Sequence, residues 1–319
     1  KGLGFDKCDV GVVTNIRDDH IGLDGVKDIY DIFRVKSLIL EVTKSDGGCI
    51  INANDEFCDE LIERSNGKPI LFSTSLNDKL KSYIDEGEEA FYVKDSYIFH
   101  VDNRKKKKIE SIENIPFVNG GVEFLLENLL AAVAASYSAG LTLNSIKSGI
   151  RSFRMDKNLN PGRMNTFSYN GYDVLLDYAH NPDSFKALGE YVKSLKAKRK
   201  ISVFTVPGDR DDEMMKECTS EMKKWSDYLI LTENPIVMRG RKKGEICRVL
   251  EKGIDLSKES YASFTDYKKA IKYAFDISDE DDLIVLADLD VSKGDVIDVL
   301  SNNEPNLLLP EELTHRCQN

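Results

Sequence analysis

Short runs of aliphatic and β-branched residues alternate with amphipathic segments throughout the second half of the chain. The strand-like runs are DVLLDY (173–178), ISVFTV (201–206), DYLILTE (227–233) and DLIVLAD (282–288). Parallel strands need long crossover connections, which are usually helices, so this alternation predicts an α/β fold with a Rossmann-like, doubly wound sheet. Ligands bind such sheets beyond the carboxyl ends of the strands.

The first half predicts a second α/β domain. Buried parallel strands are expected at 8–16, 47–53 and 68–74, a hairpin at 90–101, and helices at 124–139 and 145–153. The segment MDKNLNPGRMN is rich in Asn, Pro and Gly, which is typical of a domain boundary. We therefore predict domains at 1–158 and 159–303, followed by a tail at 304–319.

Composition excludes several classes of function. The 319 residues carry a formal net charge of −11, which disfavours a large nucleic-acid footprint. The longest apolar runs are shorter than a membrane span. The six Cys form no C-x-x-C pair, which favours reduced thiols in a cytoplasmic protein, and we expect Cys8 and Cys49 to lie in the core.

Two residues near the first predicted strand are candidates for a metal centre. His20 follows the strand beside Asp18 and Asp19, which suits either a divalent-cation ligand or a loop histidine bound to its neighbours. Lys36 lies on a largely apolar helix, where it either extends to solvent or is held near the core. Burial lowers the pKa of a lysine, and a neutral amine can form a metal-binding carbamate with carbon dioxide.

Polar residues follow the strands of the second half. Asp177 and His180 end one strand, Asp209 and Arg210 the next, and Glu233 a third. We expect Asp209 to cap the following helix and Arg210 to reach an anionic ligand, although capping and a surface salt bridge alone would also explain this loop.

Two further basic features have alternative interpretations. Arg163, in the boundary segment, could hold a phosphate or be a linker surface charge. The run Lys105–Lys108 is either an anion-binding patch or a solvated strand edge.

The order of several motifs resembles that of Mur-type ligases. These motifs are TNIRDDHIGLDG, the Lys36 helix, IINANDE, ENLLAAVAASYSAG, NPGRMN, LLDYAHNPDS and VPGDRDDE. Within that superfamily the sequence is most similar to the C-terminal half of cyanophycin synthetases, from residue 1 to about residue 250. The resemblance implies a partial Mur-type central domain, without its phosphate loop, followed by the Mur-type C-terminal domain.

This resemblance implies an ATP-dependent ligase that forms an amide through an acyl phosphate. In the cyanophycin synthetases the Mur-like part attaches arginine to the aspartate side chains of a poly-Asp backbone, and an ATP-grasp part extends that backbone. His20 then resembles a Mg²⁺ ligand, Lys36 the lysine that can be carbamylated beside the same metal, and Asn128 the residue that reads adenine.

The resemblance also assigns roles in the second half. Arg163, Asp177 and His180 resemble the parts that the C-terminal domain closes onto the nucleotide. Asp209, Arg210 and Glu233 are candidates for contact with the incoming amino acid, since an arginine substrate would need carboxylate partners.

Two departures from the family pattern limit these expectations. No G-x-x-x-x-G-K-[ST] loop occurs, so we expect a piece of a longer protein that needs upstream phosphate-loop and ATP-grasp segments and binds ATP poorly alone. Phe124 and Leu125 stand where the family usually has His and Asn, which puts full adenine recognition in doubt. A non-catalytic scaffold that binds a polymer end, another Mur-type ligase acting on a cell-wall precursor or a folate, and a homo-oligomer all remain open.

Overall fold

The structure is a computed structural model that describes residues 3–17, 25–118, 122–156, 158–169, 171–255 and 260–289. Residue contacts divide the chain into two compact units, and the division along the sequence falls between Phe153 and Arg154. This division precedes the predicted boundary at 158/159. In the described ranges, no helix is both long and apolar enough to cross a bilayer.

Unit 1 contains a six-stranded sheet in the order β1-β2-β3-β4-β5-β6. The first four strands are parallel, and the last three form an antiparallel meander. The elements in chain order are β1 (Cys8–Val13), α1 (Ile29–Glu41), β2 (Thr43–Asn52), α2 (Cys58–Glu63), β3 (Lys68–Ser73), α3 (Asp78–Asp85), β4 (Ala90–Lys94), β5 (Tyr97–Asp102), β6 (Lys105–Ser111), α4 (Glu123–Ser138) and α5 (Leu143–Ser152).

The predicted hairpin is confirmed in unit 1. It turns through Asp95 and Ser96, which have φ values of 50° and 59°, as a two-residue hairpin loop requires. Cys49 is fully buried as predicted, whereas Cys8 is only partly buried. Helix α4 packs closely on β2 because Gly48 has no Cβ, and a methyl group there would overlap the Ser138 side chain.

Unit 2 contains the predicted doubly wound sheet, in the order β11-β10-β9-β12-β8-β7. All neighbours are parallel except β7, which runs antiparallel to β8. The elements are β7 (Asn165–Tyr169), β8 (Tyr172–Asp177), α6 (Pro182–Ser194), β9 (Lys200–Phe204), α7 (Asp212–Met222), β10 (Tyr228–Thr232), α8 (Glu245–Glu251), β11 (Tyr261–Phe264), α9 (Tyr267–Ile277) and β12 (Leu283–Ala287).

Side chains of this sheet alternate between two covered faces. Helix α9 buries Ala270 and Ile271 against Val203 of β9, in one apolar cluster. The next residue of β9, Phe204, points to the other face and makes an edge-to-face contact with Phe185 of α6, at 5.6 Å between ring centroids. Helices on both faces leave the carboxyl ends of the strands as the accessible edge.

Candidate functional site

The segment that follows β1, Thr14–Arg17, is held by side chains from the end of β2, and we call it the strand-end loop. Asn52 donates its side-chain N–H to the Thr14 carbonyl at 3.1 Å. The buried Asp55 carboxylate accepts from the Ile16 N–H at 2.7 Å and forms an ion pair with Arg17 at 3.2 Å. These contacts fix the main chain immediately before the segment that contains His20.

Lys36 reaches the same strand-end loop from α1. The side chain is exposed, and Nζ donates to the Asn15 carbonyl at 3.2 Å. Of the two predicted alternatives, extension to solvent is therefore the one observed. His20 lies outside the described residues, so its convergence with Lys36 on a cation stays a prediction. Within the described ranges, no group of three or more His, Cys, Asp or Glu residues could hold a metal ion.

Helix α4 is connected to the strand-end loop through Glu127. The Glu127 carboxylate accepts from the Asn52 side-chain nitrogen at 2.9 Å, and that nitrogen also donates to Thr14. Burial raises the pKa of Glu127, the neighbouring Glu123 carboxylate adds to the rise, and the hydrogen bond from Asn52 opposes it. Asn128, the predicted adenine-reading residue, follows Glu127 on α4 and is exposed.

Arg163, Asp177 and His180 come together at the end of β8, with Tyr178 between them. The Arg163 guanidinium lies over the Tyr178 ring at 4.7 Å, and the His180 ring meets the same ring edge to face at 5.2 Å. Asp177 accepts from the Met164 and Ala179 N–H groups at 3.1 and 2.9 Å.

The electrostatics of this loop follow from its partial burial. Burial raises the pKa of the Asp177 carboxyl, although the Met164 N–H and the Arg163 charge oppose the rise.

The next helix, α6, begins with a capping box in which Asn181 and Ser184 exchange hydrogen bonds, and Pro182 takes its first position.

The loop after β9 differs from the prediction. Asp211, not Asp209, caps α7 by accepting from the Met214 N–H at 2.8 Å. Asp209 lies two residues before the cap and instead pairs with Arg239 at 2.5 Å. The Arg210 guanidinium is buried, with Nη1 3.7 Å from Asp209, and is not a surface cation.

Glu233 is buried at the end of β10 and stabilises the start of α8. Its two carboxylate oxygens accept three backbone N–H groups, from Gly244 at 2.7 Å, Ile246 at 3.0 Å and Cys247 at 3.3 Å. Hydrogen bonds of this kind hold a carboxylate in place and use most of its acceptor capacity.

A cavity of about 450 Å³ lies beside Glu233, at the ends of β10 and β11. Its charged lining consists of Glu233, Arg241, Lys243, Asp266 and Lys268. Asp266 already caps α9 by accepting from the Lys268 N–H at 3.0 Å. Arg241 forms one wall and also holds the preceding loop, since it donates to the Gly208 and Arg210 carbonyls at 3.0 and 2.8 Å.

Comparison with known proteins identifies the domain type of each unit. Residues 3–136 match the Mur ligase middle domain, and residues 162–287 match the Mur ligase, glutamate ligase domain. The chain belongs to the Mur ligase family. The predicted combination of a central domain and a C-terminal domain of this family is therefore confirmed.

Relatives refine this assignment. A cyanophycin synthetase of Crocosphaera subtropica is 33% identical over 308 residues, covering 95% of this chain and 35% of the relative. That of a Nostoc species is 32% identical over 297 residues, covering 92% of this chain and 33% of the relative. A UDP-N-acetylmuramoyl-L-alanyl-D-glutamate–2,6-diaminopimelate ligase of Caldanaerobacter subterraneus is 30% identical over 288 residues, covering 88% and 55%. The chain spans about a third of the length of the cyanophycin synthetases that it matches.

Solved structures share the fold. E. coli FolC in complex with ADP superposes with a TM-score of 0.65 at 21% identity, covering 93% of this chain and 62% of that chain. MurF from Acinetobacter baumannii gives 0.65 at 16% identity, covering 92% and 59%. These similarities establish a Mur ligase arrangement of secondary structure in both units.

Four residues that hold candidate segments in one unit or the other were not predicted from sequence. Asn52, Asp55 and Glu127 hold the strand-end loop or connect to it. Asn165 holds the segment that carries Arg163, because its fully buried side chain donates to the Arg163 carbonyl at 3.1 Å and to two further carbonyls. For Asn52 the available signal was a short polar residue at the end of a buried strand, since such residues often hydrogen-bond nearby backbone.

Proposed function

We propose that the protein containing this chain is a cytoplasmic ATP-dependent amide ligase that attaches arginine to the aspartate side chains of a poly-Asp backbone. The observation that carries this proposal is the match of the chain to cyanophycin synthetases over 95% of its length, across both Mur ligase domains. ATP would phosphorylate an aspartate side-chain carboxylate, and the amino group of arginine would displace phosphate to form the amide. The five described cysteines are free thiols, which agrees with a reducing compartment.

In unit 1, nucleotide binding would use Asn128 on α4, which is exposed and available for contact with a base. In its unmodified form, Lys36 would add positive charge beside the strand-end loop, where it already contacts Asn15. Mg²⁺ would supply charge neutralisation at the phosphates. On the resemblance of the TNIRDDHIGLDG motif and the Lys36 helix, we propose His20 as one of its ligands and Lys36, as an anionic carbamate, as a second.

In unit 2, Arg163 is the residue best suited to bind phosphate. Its guanidinium is exposed, and stacking on Tyr178 orients it while leaving its N–H groups available. Asp177 keeps the surrounding loop in one conformation through two backbone hydrogen bonds. His180 lies against the same ring and would be positioned near the same phosphates.

The cavity beside Glu233 is the proposed site for the incoming amino acid. Its cations, Arg241, Lys243 and Lys268, suit the α-carboxylate of an amino acid. Its acids, Glu233 and Asp266, are the groups available to a guanidinium, although backbone N–H groups already occupy part of their acceptor capacity. Glu233, which we predict to contact the incoming amino acid, lines one wall of this cavity. Asp209 and Arg210, the other two candidates, belong to the loop that Arg241 holds.

The test is a phosphate-release assay on the full-length protein with ATP, Mg²⁺ and an oligo-aspartate primer linked through its α-carboxyl groups, so that the side-chain carboxylates are free. Arginine, diaminopimelate and glutamate are supplied separately, and mass spectrometry follows the primer. We expect phosphate release and a mass gain of one arginine per turnover. Turnover with another amino acid would move the protein to a different Mur ligase activity, and primer binding without phosphate release would favour the non-catalytic scaffold.

A further inference from the structure

The lysine strip, Lys105–Lys108, is a concentrated positive patch in a chain of net charge −11. All four side chains are exposed, and none forms an ion pair with a described residue. Other lysines of unit 1, such as Lys44, Lys68 and Lys79, do have carboxylate partners. The strip is therefore a local excess of positive charge that nearby acidic residues do not neutralise.

The strip also lies on an open strand edge. Among the described strands, β6 is the last of its sheet and pairs with β5 alone, so one row of its backbone groups faces away from these strands. The register of β6 against β5 shifts between Ile98 and Phe99 of β5. This bulge separates the exposed lysines of β6 from its buried end. Helix α5 covers only that buried end, where Arg151 pairs with Glu110 at 2.6 Å.

Two of the four lysines are held in place by aromatic rings. The Lys106 ammonium lies 3.9 Å from the Phe99 ring centroid, and the Lys108 ammonium lies 3.0 Å from that of Tyr97. Their neighbours Lys105 and Lys107 point to the opposite face, because successive residues of a strand alternate. The strip thus presents charge on both faces of the open edge over about 10 Å.

We propose that the lysine strip binds an acidic polypeptide in extended conformation. Such a chain could hydrogen-bond to the free backbone edge and place carboxylates against lysines on both faces. A nucleic acid has no peptide groups that could pair with the backbone of this edge, so it could use only the charge of the lysines. The proposal does not rest on the proposed ligase activity, although a poly-Asp substrate would be one such partner.

The experiment measures binding of a fluorescent oligo-aspartate to the protein at low salt, without ATP. The test variant is K105Q/K107Q, because Lys106 and Lys108 cover aromatic rings and their loss could disturb the fold. The matched control is K79Q/K81Q on α3, which removes the same charge from the same unit. We expect the test variant to weaken binding about tenfold or more, equivalent to about 1.4 kcal/mol, and the control to change it far less.

Two competitors separate the possible sources of affinity. Polyacrylate of matched charge has carboxylates but no peptide groups, so we expect it to bind more weakly than oligo-aspartate and to be more sensitive to salt. Equal loss in both variants, equal binding of polyacrylate, or tighter binding of a single-stranded oligonucleotide would each overturn the proposal. A phosphate-release assay on K105Q/K107Q with a short primer measures ligase turnover, not affinity for the lysine strip. It therefore separates a failure of this binding proposal from a failure of the ligase proposal.

Discussion

Replacing Asn52 with Asp tests the hydrogen bonds that hold the strand-end loop. The substitution keeps the shape of the side chain and the Oδ1 acceptor used by the Asn54 N–H at 2.9 Å. It removes both N–H donations, to the Thr14 carbonyl at 3.1 Å and to the Glu127 carboxylate at 2.9 Å. The new carboxylate would lie directly against two acceptors, one of them charged.

The expected cost follows from these two contacts. A hydrogen bond to a neutral carbonyl contributes about 1 kcal/mol net, and one to a charged group about 1.5–3 kcal/mol. Loss of both therefore destabilises unit 1 by about 2.5–4 kcal/mol at neutral pH, before repulsion between the two carboxylates is added. Lowering the pH should reduce this cost, because one carboxyl then takes up a proton and can donate to the other.

The partner substitution Glu127→Gln supplies a rescue. In the N52D background the glutamine amide can donate to the new carboxylate, which restores one hydrogen bond and removes the repulsion. We expect the double variant to recover about 2 kcal/mol relative to N52D, while E127Q alone changes stability by less than about 1 kcal/mol. A recovery of this size would show that the two side chains interact directly.

Hydrogen exchange followed by mass spectrometry is the appropriate assay, since the two units can unfold separately. Peptides from the end of β1 and from β2 should lose protection in N52D and regain it in the double variant. The fluorescence of Trp225, the one tryptophan of the chain, reports unit 2 and should not change. Unchanged protection of the strand-end loop in N52D, or no recovery with E127Q, would refute the reasoning.

Two further predictions concern buried carboxylates. Glu233→Ala removes the acceptor of three backbone N–H groups, so the free energy of unfolding of unit 2 should fall by about 2–4 kcal/mol. Urea unfolding followed by Trp225 fluorescence measures this change, and a fall below about 1 kcal/mol would contradict the prediction. Burial alone would raise the pKa of Glu89, but hydrogen bonds from His100 at 2.8 Å and Lys68 at 2.7 Å lower it overall. A lowered folded-state pKa gives stability that is present above the unfolded pKa and is lost as pH falls through the folded one. E89Q should therefore flatten the acid side of the unit 1 stability profile, and a profile identical to that of the wild type would contradict this.

The sequence indicated the main sheet of unit 2 because its central strands are apolar and alternate with amphipathic helical segments. Strands β7 (Asn165–Tyr169) and β11 (Tyr261–Phe264) were not predicted, since both are short and carry polar residues. Each lies at an edge of the sheet and pairs with a single neighbour, β8 or β10. Hydrogen bonding to that neighbour stabilises these strands, whereas their amino-acid composition alone does not predict a strand.

The candidate site was predictable to the extent that it follows strand ends. The resemblance grouped Arg163, Asp177 and His180. In the structure Arg163 and His180 both contact the Tyr178 ring, and Asp177 accepts from the Met164 N–H, next to Arg163. The contacts of Asn52 were not predictable, because they join positions 38 and 75 residues apart along the chain. Such pairs depend on the register of β1 against β2 and on the packing of α4, which local sequence does not determine.

The geometry of the strand-end loop bears on the predicted metal centre. Asn52, Asp55 and Lys36 each contact its backbone, so the chain enters the segment containing His20 from a fixed position. Lys36 Nζ lies 3.2 Å from the Asn15 carbonyl, and His20 is five residues after Asn15 in the sequence. Five residues span at most about 18 Å when fully extended, and any bend brings them closer. This short separation in sequence is compatible with the predicted shared cation, and a loop immobilised before binding lowers the conformational entropy that cation binding would have to offset.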